Sequence, residues 1–301
     1  MKKKTILDLM RMRNEDEKVA WVTAYDYPTA YAAEQAGIDM ILVGDSGGMC
    51  LLGYENTHPV TMDEMIMMAK AVRRGAPNTF IVGDMPQGSY EVSVEEAVRN
   101  ALRFIKEAGC DAIKLEGVHN DVNGALKKAG IIVMGHLGLT PQSAEMVGGY
   151  RCQGQTENSF DRLVKQCRKI ENIDFILLEA LSPSVGSILK NIFDSYTNKI
   201  PVYGIGAGPF LDGQLLICHD ILGYYPNFKP KFAKNYFHNV CITNIEKESD
   251  NNILTMQTIA KECFKAYISE VRTGIFPGDE HCYKEPVWIT AFQAVMQKDK
   301  G

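Results

Sequence analysis

The chain has 301 residues, 46% of them apolar and 23% charged, an ordinary globular composition with enough apolar surface for a large core. Thirty-two Lys+Arg against 37 Asp+Glu leave a formal charge of −5, so there is no basic field to recruit nucleic acid or an anionic membrane. The longest apolar runs fall far short of the ~20 residues a membrane span needs, and Asp8, Arg11 and Arg13 interrupt any hydrophobic signal segment in MKKKTILDLMRMRNEDEK.

From residue 19 to 223 one pattern recurs: a short apolar run, an acidic or glycine-rich turn, then an amphipathic segment. The runs are VAWVTAYD (19–26), MILVGD (40–45), FIVGD (80–84), AIKLEG (112–117), IIVMGHLG (131–138), FILLEAL (175–181) and VYGIGAG (202–208). An eighth, near LLICHDILG (215–223), reads equally as strand or helix. Between them, 61–78 opens with a Thr61–Glu64 capping box and closes at Gly75 before Pro77, and 93–109 opens with Ser93 and Glu96 and closes at Gly109. Near-continuous apolar strands alternating with helices predict parallel strands buried on both faces. Seven or eight such units predict an α/β fold, a (β/α)8 TIM barrel over residues 1–240, with an open doubly wound sheet as the alternative. CITNIEKESDNN then reads as a solvated connection and 253–274 as a long amphipathic helix. The remaining 241–301 thus form a C-terminal helical extension, packed on the barrel or on a neighbouring subunit. Eight cysteines, with no CxxC pair and no zinc spacing, read as reduced thiols in a chain too large to need disulfide staples.

Asp45, Asp84, Glu116 and Glu179 each fall at or near the end of an apolar run. In an α/β barrel those ends converge on the face where active sites are built. Four acids in one partly desolvated cavity repel one another unless a cation offsets the charge, and hard oxygen ligands suit Mg²⁺. Acids at strand ends also cap the next helix, the plainer reading of any one of them. Lys114 and Glu116 share side-chain parity, which aims both into the barrel interior, where neither is cheap to bury unless it binds something; an internal salt bridge is the alternative. His136 follows Gly135 near another strand end. GIGAG (204–208) lacks the third glycine of a dinucleotide fingerprint, and a tight loop explains it as well. LLGYENTHPVT (51–61) is a candidate lid.

At VGDSGGM, GDMPQGSY, IKLEG, GHLGLTPQS, GIGAG followed by DGQ, and PKFAKNY, the chain resembles the ketopantoate (3-methyl-2-oxobutanoate) hydroxymethyltransferase family of pantothenate biosynthesis, from about residue 3 to 240. The resemblance implies a barrel of the phosphoenolpyruvate mutase/isocitrate lyase superfamily, one Mg²⁺ per subunit, 5,10-methylenetetrahydrofolate as co-substrate, a cytoplasmic setting and a homodecamer. It further implies that Asp45, Asp84 and Glu116 serve the metal, that Asp45, Ser46, Asp84 and Lys114 hold the 2-oxo acid, that His136 contacts substrate, and that Glu179 is the proton acceptor. Gln87, His58, Gln155 and the ALSPS after Glu179 depart from the family pattern, on the folate side and in loop packing rather than among those residues. Two other functions fit the same barrel: a C–C or C–P lyase of the superfamily, although the Lys-Lys-Cys-Gly-His string of isocitrate lyases is missing, and an inactive barrel that binds a 2-oxo acid.

Overall fold

In a computed structural model of the chain, which describes residues 3–196, 199–245 and 255–289, the apolar runs form eight strands. These are β1 (Val19–Thr23), β2 (Met40–Val43), β3 (Phe80–Asp84), β4 (Ala112–Glu116), β5 (Ile132–Gly138), β6 (Phe175–Glu179), β7 (Val202–Ile205) and β8 (Gly213–Leu216). All pair in parallel and in sequence order, and β8 returns to β1 through Val19 opposite Gly213 to Val22 opposite Leu216, which closes the barrel. Closure explains the apolar runs: a strand lined by side chains inside and covered by helices outside has no solvent face.

The helices are α1 (Ile6–Asn14), α2 (Tyr27–Ala36), α3 (Gly47–Cys50), α4 (Met62–Gly75), α5 (Val94–Glu107), α6 (Asn120–Lys128), α7 (Glu157–Lys169), α8 (Pro183–Asp194), α9 (Cys218–Leu222), α10 (Phe237–Ile245) and α11 (Met256–Thr273). The capping box that opens α4 is formed, with Thr61 accepting from Glu64 N–H and the Glu64 carboxylate accepting from Thr61 N–H. At α5 Ser93 accepts from Glu96 N–H. None of the described helices is long and apolar enough to cross a membrane.

Two sequence expectations change. The ambiguous run 215–223 contains the end of β8 and then α9, because Gly213 and Gln214 begin the strand before the apolar run does. Residues 241–245, expected as solvated connection, continue α10, and the rest of that connection lies outside the described residues, as do 253–254 of the expected long helix. Residue 240 falls inside α10.

Helix α11 lies against α2 and the outer face of β1 and buries Cys263, Phe264 and Tyr267 completely. The Tyr267 hydroxyl reaches the carbonyl oxygens of Trp21 in β1 (3.1 Å) and Gln214 in β8 (2.5 Å), so it sits on the seam where the barrel closes. Arg272 at its last turn clasps the carboxylate of Asp39 through two contacts of 2.7 and 2.6 Å. Asp39 is fully buried and also accepts from Ala20 N–H and Lys4.

Inside the barrel the side chains grade from apolar to charged. At the strand N-terminal ends Trp21, Phe80, Phe175 and Tyr203 meet edge to face at 5.6–6.2 Å and plug the floor. Four residues beyond Phe80 and Phe175 come Asp84 and Glu179, and the strands between them, β4 and β5, bring Lys114, Glu116 and His136 to the same end of the barrel. The floor fixes the barrel, and the open end carries the chemistry.

Candidate active site

A cavity of about 340 Å³ opens at the C-terminal ends of the strands. Its wall contains Asp45, Ser46, Asp84, Lys114, Glu116, His136 and Glu179, so the structure brings all seven expected residues together. Lys114 is the centre of the group. Its ammonium lies 2.9 Å from Asp84 Oδ1, 3.4 Å from Glu116 Oε1 and 3.2 Å from His136 Nδ1. The parity argument for Lys114 and Glu116 holds: both point inward, buried to 2% and 5% exposure.

Strand register explains the rest of the wall. Glu116 in β4 stands opposite His136 in β5, and the ring runs on to β6, where His136 Nε2 is 3.1 Å from Glu179 Oε2. Gly138 makes the approach to β6 feasible. It has φ +98°, and a Cβ there would sit 2.2 Å from the Glu179 carbonyl oxygen. Asp84 in turn accepts from Asp45 N–H at 3.1 Å, and Ser46 pairs its hydroxyl with that of Tyr25 at 2.8 Å.

The electrostatics are those of a crowded anionic pocket. Burial, then the charge of Glu116, pushes the Asp45 carboxyl up to about 6. Burial also raises Asp84, Glu116 and Glu179 above the usual carboxylate range. Burial disfavours the Lys114 ammonium, but Asp84, Glu116 and Asp45 outweigh that and hold it charged. Burial and the Lys114 charge hold His136 down to about 4, so at neutral pH it is an uncharged ring between two carboxylates. Four carboxylates thus face one ammonium, an excess that favours a cation.

Sequence reasoning missed three groups. Gln142, from the loop after β5, is buried; its side-chain amide donates to Asp45 Oδ2 and to the Met85 carbonyl (both 2.9 Å), and its backbone N–H donates to Glu116 Oε2 (3.0 Å). Tyr90 donates to Gln142 Oε1 at 2.5 Å, completing a brace behind the carboxylates. Asp220 in α9 lines the same cavity with Oδ2 buried and unpartnered, and burial pushes its carboxyl up to about 7. A polar residue directly after Pro141 in a strand-end loop was the available signal for Gln142. Segment 51–61 lies along the rim: Glu55 and Thr57 line the cavity, and His58 Nε2 is 3.1 Å from the Gln142 carbonyl oxygen. GIGAG forms the tight turns after β7, with Gly206 and Gly208 at φ +60° and +83°. Among the described residues no group of three His, Cys, Asp or Glu side chains stands at metal-ligand spacing.

The sequence model of the ketopantoate hydroxymethyltransferase family matches residues 3–279. The chain belongs to that family. The 3-methyl-2-oxobutanoate hydroxymethyltransferase of Alkaliphilus metalliredigens is 50% identical over 304 aligned residues, covering 99% of both chains. That of Geobacillus thermodenitrificans is 44% identical, covering 96% of this chain and 98% of its own. Among solved structures, a phosphonopyruvate hydrolase complexed with oxalate and Mg²⁺ superposes with a TM-score of 0.56 at 15% identity, over 89% of this chain and 99% of that one. A 2,3-dimethylmalate lyase of the PEP mutase/isocitrate lyase superfamily gives 0.53 at 14%, over 90% and 99%. At such identities the two structures speak for the barrel architecture alone.

Proposed function

We propose that this chain transfers a hydroxymethyl group from 5,10-methylenetetrahydrofolate to 3-methyl-2-oxobutanoate, with water supplying the hydroxyl, to give 2-dehydropantoate and tetrahydrofolate for pantothenate synthesis. The observation that carries the reading is the arrangement across one cavity: a partly buried carboxylate, Glu179, set by a neutral His136 on one side, and a fixed cation, Lys114, on the other. Removing the C3 proton of a 2-oxo acid needs a desolvated base and positive charge near the developing enolate oxygen, and the pocket has both.

Glu179 Oε takes the C3 proton, and its raised pKa matches it to that weak acid better than an ordinary carboxylate. His136 orients Glu179 from one ring nitrogen while the other faces Lys114. Lys114 and Ser46 hold the 2-oxo acid. Water breaks the carbon–nitrogen bonds of the donor, releasing tetrahydrofolate and the one-carbon unit as formaldehyde; the carbanion bonds to that carbonyl carbon, and its oxygen takes up a proton to become the hydroxyl. The all-oxygen donor set of Asp45, Asp84 and Glu116, buried together in one cavity wall, fits a hard divalent cation such as Mg²⁺. Bound there, one cation per subunit would add Lewis-acid charge at the keto and carboxylate oxygens of the substrate. On the family alone we extend the proposal to a homodecamer acting in the cytoplasm.

The test is turnover of 3-methyl-2-oxobutanoate with methylenetetrahydrofolate, with and without Mg²⁺, alongside NMR of the C3 proton in deuterated water. Formation of 2-dehydropantoate supports the reading. Cleavage of a 2-oxo acid or phosphonate without one-carbon transfer would replace it with the lyase alternative, and binding without either reaction would leave an inactive barrel.

A further inference from the structure

A second cleft, of about 730 Å³, lies beside the catalytic cavity, and Tyr283 lines both. It hangs directly from the catalytic strand: Gln153 at its floor donates its N–H to the carbonyl of Ala180, the residue after Glu179 (2.7 Å), and pairs as an isolated bridge with Leu181. Its charge is opposite to that of the cavity next door. Arg151, Arg162, Lys231 and Lys284 line it, and no Asp or Glu does. Arg151, Arg162 and Lys284 make no ion pair among the described residues, and Lys231 spends its ammonium on a backbone carbonyl, that of Glu280. The nearby carboxylate of Glu285 is tied to Ser184 N–H at 2.9 Å. Thr156, at the start of α7, brings the positive end of a 13-residue helix to the same wall. Such a concentration of cations without carboxylate partners, in a chain of net charge −5, suits an anionic ligand.

We propose that this cleft binds the glutamyl tail of the folate co-substrate and selects polyglutamylated donors over the monoglutamate. The inference rests on the hydroxymethyltransferase reading and deepens it. The one-carbon unit must reach the 2-oxo acid beside Glu179, so the aromatic part of the donor lies in the cavity mouth, where Tyr150, Phe228 and Tyr283 offer flat faces. The tail must then leave the mouth. Toward the strand ends it meets Asp45, Glu55 and Asp220, which repel carboxylates, whereas past Tyr283 it enters the basic cleft. Each γ-linked glutamate adds one carboxylate, and the cleft offers a row of cations to receive them.

The experiment measures KM and kcat with 5,10-methylenetetrahydropteroyl mono-, tri- and pentaglutamate. The unaltered protein should show a KM about tenfold lower for the triglutamate than for the monoglutamate, the sum of a few screened ion pairs, at similar kcat. That advantage should shrink as salt is raised, because exposed pairs are screened. In the Arg151→Gln/Lys284→Gln double variant, and separately in Arg162→Gln, the ratio of the two KM values should fall toward one. The side chains replaced are exposed, and the ratio is internal to each protein, so partial misfolding cannot imitate the loss. Turnover with equal KM for all tail lengths in the unaltered protein overturns the cleft assignment, as does a ratio unmoved by both variants. No turnover with any donor overturns the hydroxymethyltransferase reading itself.

Discussion

Glu179 Oε2 and His136 Nε2 lie 3.1 Å apart, and their pKa values are displaced in opposite directions. Burial lifts Glu179, whereas burial and Lys114 hold His136 down to about 4. Rates of C3–H exchange should therefore rise with pH through an acid limb above the ordinary carboxylate value of about 4.3, with no inflection near 6.5 from the imidazole. An NMR exchange profile with its only limb near 6.5 would hand the role of base to His136. Replacing Glu179 by Gln keeps the shape and removes the base, so exchange should drop about 10²-fold or more while 2-oxo acid binding persists. Asp84→Ala should abolish activation by divalent cations and cost about a hundredfold or more in kcat. Its circular dichroism should stay native, since it relieves a crowd of like charges rather than emptying the core. Near-normal turnover would remove Asp84 from the cation site. These residues were legible because each lies at a strand end or on a strand's inward parity. Gln142, Tyr90 and Asp220 were not, because loop and short-helix residues follow no period that fixes where their side chains go.

At the scale of elements, α11 closes the barrel. Its Tyr267 hydroxyl reaches carbonyls of the first and last strands with one shared proton, so Tyr267→Phe removes that donor and should cost about 1–2 kcal/mol by urea unfolding. An unchanged midpoint would show that the seam does not depend on that hydroxyl. Ending the chain at residue 245 removes Cys263, Phe264 and Tyr267 from the faces of α2 and β1, and we expect an insoluble or molten product in expression trials. A folded 1–245 fragment would make the C-terminal segment a true appendage. The strands were legible from apolar runs flanked by capped helices, since parallel strands must be apolar on both faces. The last unit was blurred because β8 opens with Gly213 and Gln214, and because the polar residues after 240 conceal that the first of them complete α10.

For the molecule as a whole, large apolar side chains are left exposed from Leu7 to Val287, among them Val92 at 70%, Met146 at 86% and Val287 at 86%. Together with the family membership they support the proposed homodecamer, which light scattering should find at micromolar concentration; monomers throughout that range would overturn it. The buried Asp39 has a further consequence, in time rather than in space. Its carboxylate joins Lys4, the backbone of β1 and Arg272, so residues far apart in the sequence meet on one charge. A nascent chain on the ribosome has Asp39 well before Arg272, which follows it by 233 residues. Until then, sealing β1 against β8 would bury a carboxylate without its strongest partner, at a cost of several kcal/mol. The ring is therefore expected to stay unsealed until Arg272 is available, so that α11 locks the first strand in place.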